Sequence, residues 1–372
     1  MTYRKFLQSI LGTILVIWFA VGCSTPTATP ISPTATLTPE PPTSTPTVGP
    51  GGFPRRFHVE GNAFVDQYGE TMVFRGMAPI DPLFQILYAP EHPEYGVWSE
   101  HHYHVMADWG ANIIRLPIVP DTWRNYIRRY GMDGALHALD QTITWASENK
   151  MYVIIDFHSQ GWPPGNYYEE GVGAETTPQE IMDFWNTISH RYVDNDVVAF
   201  YELFNEPFTH VYSGTAGDWL IWKDFAEQVI AVIRANDPDK IILVGGLQSA
   251  YDLSFVADAP VAGSNIAYAT HPYSKPDFVK NWDTAFGDLS SQYPVFATEF
   301  GYTQGGFSDN DYNGVPYRQA IIDYLEAHHI SWTVWCFDAT WYTSLLLDVQ
   351  TYQPSPSGEY FRSRLLELNQ RP

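Results

Sequence analysis

The chain has 372 residues, a formal net charge of −22 and 16% aromatic residues. So acidic a chain repels nucleic acid and anionic membrane surfaces, whereas a neutral polysaccharide meets no such penalty. Its two cysteines, Cys23 and Cys336, rule out a disulfide framework, so the fold rests on its core.

The first segment has the layout of an export signal. Arg4 and Lys5 precede an apolar run over residues 10–21, shorter than the roughly 20 apolar residues a spanning helix needs. The run closes on Ala20-Val21-Gly22-Cys23, which resembles the lipobox of bacterial lipoproteins, with Ala where the consensus prefers Leu. On this reading residues 1–22 are a signal peptide and Cys23 carries the lipid, the protein's one membrane contact. The other reading is an ordinary cleaved signal followed by an unmodified cysteine. Either way the protein is exported, to the cell surface or beyond. Residues 23–50 are almost wholly Thr, Pro, Ser and Ala, too polar to order themselves, and read as an extended spacer of about 3.1 Å per residue.

Residues 51–372 suit one α/β barrel in length. A small leading hairpin is expected from residues 57–59, 63–66 and 71–74, with turns at Glu60-Gly61-Asn62 and Tyr68-Gly69. Eight β-rich runs follow, at 74–77, 112–118, 152–158, 197–205, 240–244, 266–273, 295–300 and 332–337. Between them lie amphipathic stretches. Thr177-Pro178-Gln179-Glu180 is a capping box with Pro at the first helical position. Leu136, Leu139 and Ile143, then Trp222, Phe225, Ala226, Val229, Val232 and Ile233, then Ala320, Ile321, Tyr324 and Leu325 keep helical spacing. The connection from Val244 to Ile266 offers only a short helical candidate around residues 253–257. Strict alternation implies a parallel sheet, and eight units favour a (β/α)8 TIM barrel over an open doubly wound sheet, because no Gly-rich nucleotide loop is present.

Active sites of such barrels lie at the C-terminal strand ends. Six strand ends here carry a polar or aromatic group: Arg115, His158, Asn205-Glu206, His271 with Tyr273, Glu299 and Trp335. In this order and placement they resemble the signature of glycoside hydrolase family five, the cellulase-type barrels, over essentially all of the domain. The resemblance implies a retaining β-glycosidase. Glu206 is then the acid/base and Glu299 the nucleophile, two carboxyl groups about 5–5.5 Å apart. Arg115 and Tyr273 would hold Glu299 ionised, and His271 would act on the protonation of Glu206. Asn205 and His158 would bind the sugar hydroxyls, and Trp335 would form a stacking floor. This chemistry needs neither metal nor cofactor.

Other residues have plainer readings. Glu202 shares a strand face with Glu206 and is expected to be a buried, paired structural carboxylate; Asp156 shares one with His158 and is placed to orient it. His101-His102-x-His104 lacks a matching ligand set, so surface or supporting histidines are expected there, not a metal site. Cys336 should point away from the cleft as a small apolar residue. Trp162 and Trp341 are candidate sugar platforms or simply loop packing, and Tyr167 and Tyr168 are weaker candidates. The leading expectation is a monomeric endo-β-1,4-glucanase acting on a polysaccharide or oligosaccharide. A β-mannanase or another β-glucan hydrolase shares the same signature. A non-catalytic surface lectin would have lost one of the eight positions, and a transporter-linked binding lipoprotein would have two lobes.

Overall fold

Alternate residues of the eight apolar runs do turn to opposite sides, and that alternation builds the fold. The computed structural model describes residues 52–369 except 97, 172, 210–213, 275–280, 303–308, 310 and 313, with only the backbone at 311 and 312. The export segment, Cys23 and the spacer to residue 50 lie outside the described residues. The barrel strands are β1 (Arg75–Ala78), β2 (Ile113–Ile118), β3 (Tyr152–Phe157) and β4 (Val198–Glu202). They continue with β5 (Ile241–Gly245), β6 (Ile266–Thr270), β7 (Val295–Ala297) and β8 (Ser331–Trp335). Each pairs in parallel with its sequence neighbours, and β8 pairs with β1, closing the barrel. The fold is the expected (β/α)8 barrel, and each strand falls on an expected run.

The leading hairpin is also present, Phe57–Glu60 against Ala63–Asp66, with Thr71 reduced to a single bridge to Val65. It serves as the barrel floor. Phe64 reaches Phe200 at 5.0 Å between ring centroids, and Phe74 meets Phe200 at the same distance. Above them Ile113, Ile154, Leu243, Ala267 and Phe296 fill the interior. The intervening residues, such as Ile114, Val153, Tyr201, Ile242 and Tyr268, pack outward on the helices. Each fully buried apolar side chain of this size contributes about 1.5–3 kcal/mol.

The helices follow local signals. In Pro178–Tyr192 the Thr177 hydroxyl accepts from the Glu180 amide at 3.1 Å. In Ala216–Arg234 Thr215 and Asp218 form a reciprocal cap, and Trp219, Trp222, Phe225, Ala226, Val229, Ile230 and Ile233 are buried. Pro120–Glu148 breaks at Gly131, whose φ of 77° few side chains tolerate. Two connections depart from strict alternation. The segment expected to be helical at residues 253–257 is a series of turns, held by bridges Gly246–Ala250 and Leu247–Asp252. After β6, among the described residues, the connection to β7 carries one irregular helical turn pair, Asp283–Ser290. No described helix is long and apolar enough to cross a membrane.

Candidate active site

The parity that places Ile113, Ile154, Phe200, Ala269 and Phe296 inside the barrel also places Arg115, Asp156, Glu202, His271 and Thr298 inside, one layer higher. A polar layer therefore sits on an apolar one at the C-terminal mouth. Its centre is Arg115, fully buried. Nε donates to Glu202 at 2.6 Å, Nη1 to Glu299 at 2.7 Å and Nη2 to Asn205 Oδ1 at 2.7 Å, with Asp156 3.0 Å from Nη2. Burial opposes a charged guanidinium, but the three carboxylates outweigh it and hold Arg115 protonated.

Glu299, two residues beyond the end of β7, is fixed at both oxygens: Arg115 binds Oε2, and the Tyr273 hydroxyl donates to Oε1 at 2.9 Å. Burial pushes its carboxyl up, yet His271, Arg115 and His158 together with the Tyr273 bond bring it below its ordinary value. It is ionised at neutral pH. Glu206 opens a short strand, Glu206–Pro207, that pairs with Gln160–Trp162 beside the barrel; its amide donates to the Ser159 carbonyl at 3.1 Å. A carboxylate oxygen of Glu206, one of Glu299 and a ring nitrogen of His271 lie within 4.8 Å of one another.

His271 is buried between them. Burial alone would keep it neutral, but the charge of Glu299 and the contacts with Glu202 and Glu206 push it up to about 9. Its Nδ1 faces Glu206 at 3.2 Å and its Nε2 faces the Thr298 hydroxyl at 3.1 Å. The three clustered residues have the spacing of metal ligands.

The remaining expected residues stand around this pair. Asn205 is fully buried, and its Nδ2 has no partner among the described residues, so an amide donor is left for a ligand. His158 Nδ1 lies 2.7 Å from Asp156, the orientation expected for it, and its ring runs parallel to Trp335 at 5.2 Å. Glu202 is the buried, paired carboxylate anticipated from its strand face.

Some residues sit elsewhere than expected. Trp162 packs into the main core, its ring 6.3 Å from Trp222, with Gly165 closely packed on it. Tyr167 and Tyr168 pair with the same small strand. Trp341 is half-buried on the rim beside Phe84, against the cluster that contains Tyr273 and Trp335. Cys336 is buried in that cluster next to Tyr273, whereas parity suggested it would turn away from the site. His101 and His104 are exposed, but His102 is fully buried among Tyr103, Phe337 and Tyr352, and burial lowers it to about 4.

Two residues escaped the sequence reading. Asp81 caps Pro82–Tyr88 by accepting from the Leu83 amide at 2.8 Å, and accepts from Val119 at 3.0 Å. The Asp-Pro pair was the available signal. Thr298 donates to Glu202 at 2.7 Å while facing His271. Its interior parity with Phe296 was the signal there.

Comparison with known proteins gives the family. The cellulase model of glycosyl hydrolase family 5 matches residues 65–340. The chain belongs to glycosyl hydrolase family 5. Among family members with known structure, a β-glucanase from Saccharophagus degradans is 35% identical, with a TM-score of 0.73 over 85% of this chain and 94% of that one. The same β-glucanase has been solved in complex with cellotetraose. Endoglucanase E-5 from Thermobifida fusca is 30% identical over 299 residues, 75% of this chain and 55% of that protein. Endoglucanase A from Butyrivibrio fibrisolvens is 29% identical over 248 residues, 65% of this chain and 51% of that protein. The chain spans about half the length of these two relatives.

Proposed function

We propose that this family 5 protein is a retaining β-1,4-glucan hydrolase of the endoglucanase type, working by double displacement. One observation carries the proposal: carboxylate oxygens of Glu206 and Glu299 approach within 4.8 Å. Retaining hydrolysis uses carboxyl groups about 5–5.5 Å apart, whereas inverting enzymes need roughly 6.5–9.5 Å to admit a water. Ionised Glu299, aimed by Arg115 and Tyr273, attacks the anomeric carbon; Glu206 protonates the leaving oxygen. Glu206 then takes a proton from the incoming water, and the glycosyl–Glu299 ester is cleaved. The open Nδ2 of Asn205 donates to a hydroxyl of the bound sugar, and His158 binds the same ring over Trp335.

The glucanase and endoglucanase relatives support a β-glucan over a mannan as substrate. Assays in parallel on carboxymethylcellulose, mixed-linkage glucan, xyloglucan and mannan test this, with mannan expected to be the poor substrate. Turnover of mannan alone overturns it. Proton NMR of the first product is expected to show the β-anomer; early α-anomer means inversion.

For the export segment we propose cleavage before Cys23, lipidation of that residue, and a monomeric hydrolase domain held off the surface by residues 23–50. Mass spectrometry of the mature N-terminus is expected to find acyl chains on Cys23. A free cysteine there, or a cut elsewhere, contradicts it.

A further inference from the structure

We propose that Thr298 is a positioning residue of the reaction, its hydroxyl dictating which nitrogen of His271 can lose a proton. The inference rests on the assignment of Glu206 as acid/base. It begins from a continuous chain of contacts joining the two paired glutamates through the barrel interior. Arg115 links Glu299 Oε2 (2.7 Å) to Glu202 Oε2 (2.6 Å). Thr298 Oγ1 links Glu202 Oε1 (2.7 Å) to His271 Nε2 (3.1 Å), and His271 Nδ1 reaches Glu206 Oε1 at 3.2 Å. Thr298 is fully buried, and its own carbonyl accepts from the Thr333 hydroxyl at 2.5 Å, so its place is fixed.

The direction of each bond follows from counting protons. Ionised Glu202 can only accept, so Thr298 spends its one hydroxyl proton there. Towards His271 the hydroxyl then has only lone pairs, and Nε2 must carry a hydrogen. The ring therefore exchanges its second proton at Nδ1 alone, the nitrogen beside Glu206. The charged groups facing this ring are Glu202 and Glu206 from the β4 side, Arg115 on β2 and Glu299 after β7. Glu202 Oε1 stands 3.7 Å from Nε2, beyond hydrogen-bond reach, so without the Thr298 hydroxyl the Nε2 hydrogen loses its bonded partner while Glu206 still draws one to Nδ1. With it, the imidazole always turns the same nitrogen, as N–H or as bare lone pair, to the carboxyl that moves protons during the reaction.

Nitrogen-15 NMR of histidine-labelled protein tests this without any turnover. Above the His271 titration the wild-type ring is expected to be the Nε2–H tautomer; the Nδ1–H tautomer overturns the proposal. Thr298→Val is expected to give a mixed tautomer and to move the alkaline limb of kcat/KM towards neutral pH. Its kcat/KM on cello-oligosaccharides should fall by about 10-fold or more, with far less loss on an aryl cellobioside whose leaving group needs no acid. Thr298→Ser should restore all three. Equal losses on both substrates, or a Ser variant as impaired as Val, overturn the positioning role. Absence of turnover of any β-glycan by wild-type protein instead defeats the hydrolase reading, while the tautomer result still stands.

Discussion

Arg115 is the residue on which the site's electrostatics turn. One guanidinium faces Asp156, Glu202 and Glu299 with no exposure to solvent. Replacing it by an apolar side chain of similar length leaves buried carboxylates without a cation. Arg115→Met is therefore expected to cost about 3–5 kcal/mol in urea denaturation, and a change within about 1 kcal/mol contradicts this account. The same layer sets the pH dependence of stability. His271 is raised from an unfolded value of about 6.5, so its contribution is full below about 6.5 and is lost as pH rises through about 9. Asp81, which burial pushes up to about 7, acts in the same direction, from about 4 upward. Glu202 and Glu299 are lowered, so their contribution is present above about 4 and lost as pH falls. Thermal denaturation across pH is expected to show both limbs. His271→Asn should flatten the limb between about 6.5 and 9, and an unaltered alkaline limb speaks against a charged His271.

At the level of elements, period-two alternation made the site legible. Arg115, Asp156, Glu202 and His271 could be placed at or near strand ends from the sequence, and Asp156 on the face of His158, although the pairing of β3 with β4 shifts register at Val153. Period is silent where side-chain environment decides. Trp162 carries the same ring as Trp335, yet one packs into the main core and the other beside His158. The stretch after β5 has apolar spacing short enough to mimic a helix, but its backbone folds back on Leu247 and donates from Leu253 to Ala285 instead. Closure of the barrel was legible as a count of eight, but the contacts that secure it were not. Arg75 on β1 binds both oxygens of Glu326 at 2.8 and 2.7 Å, from the helix Tyr317–Ala327 that precedes β8. Glu326 also accepts from Trp332 on β8. Arg75→Ala is expected to lower stability by about 1–3 kcal/mol while leaving KM unchanged, because the clasp is remote from Glu206 and Glu299. A changed KM with unaltered stability would refute that separation.

At the scale of the whole barrel, an apolar floor closes one end and a buried polar layer stands at the other. The hairpin and its ring of phenylalanines close the floor, and the polar layer stands on that floor facing the mouth. Residues distant in sequence, from Arg115 to Trp335, thereby meet in one place, which is why the strand-end pattern pointed to a site before any contact was known. The central claim is that Glu299 is the atom source of a covalent bond to sugar, with Glu206 serving protons. The most direct measurement is to incubate the protein with a 2-deoxy-2-fluoro cellobioside bearing a good leaving group and map the modified peptide by mass spectrometry. One sugar adduct on Glu299 is expected. An adduct on Glu206, or turnover with α-anomer release and no adduct at all, would contradict the account.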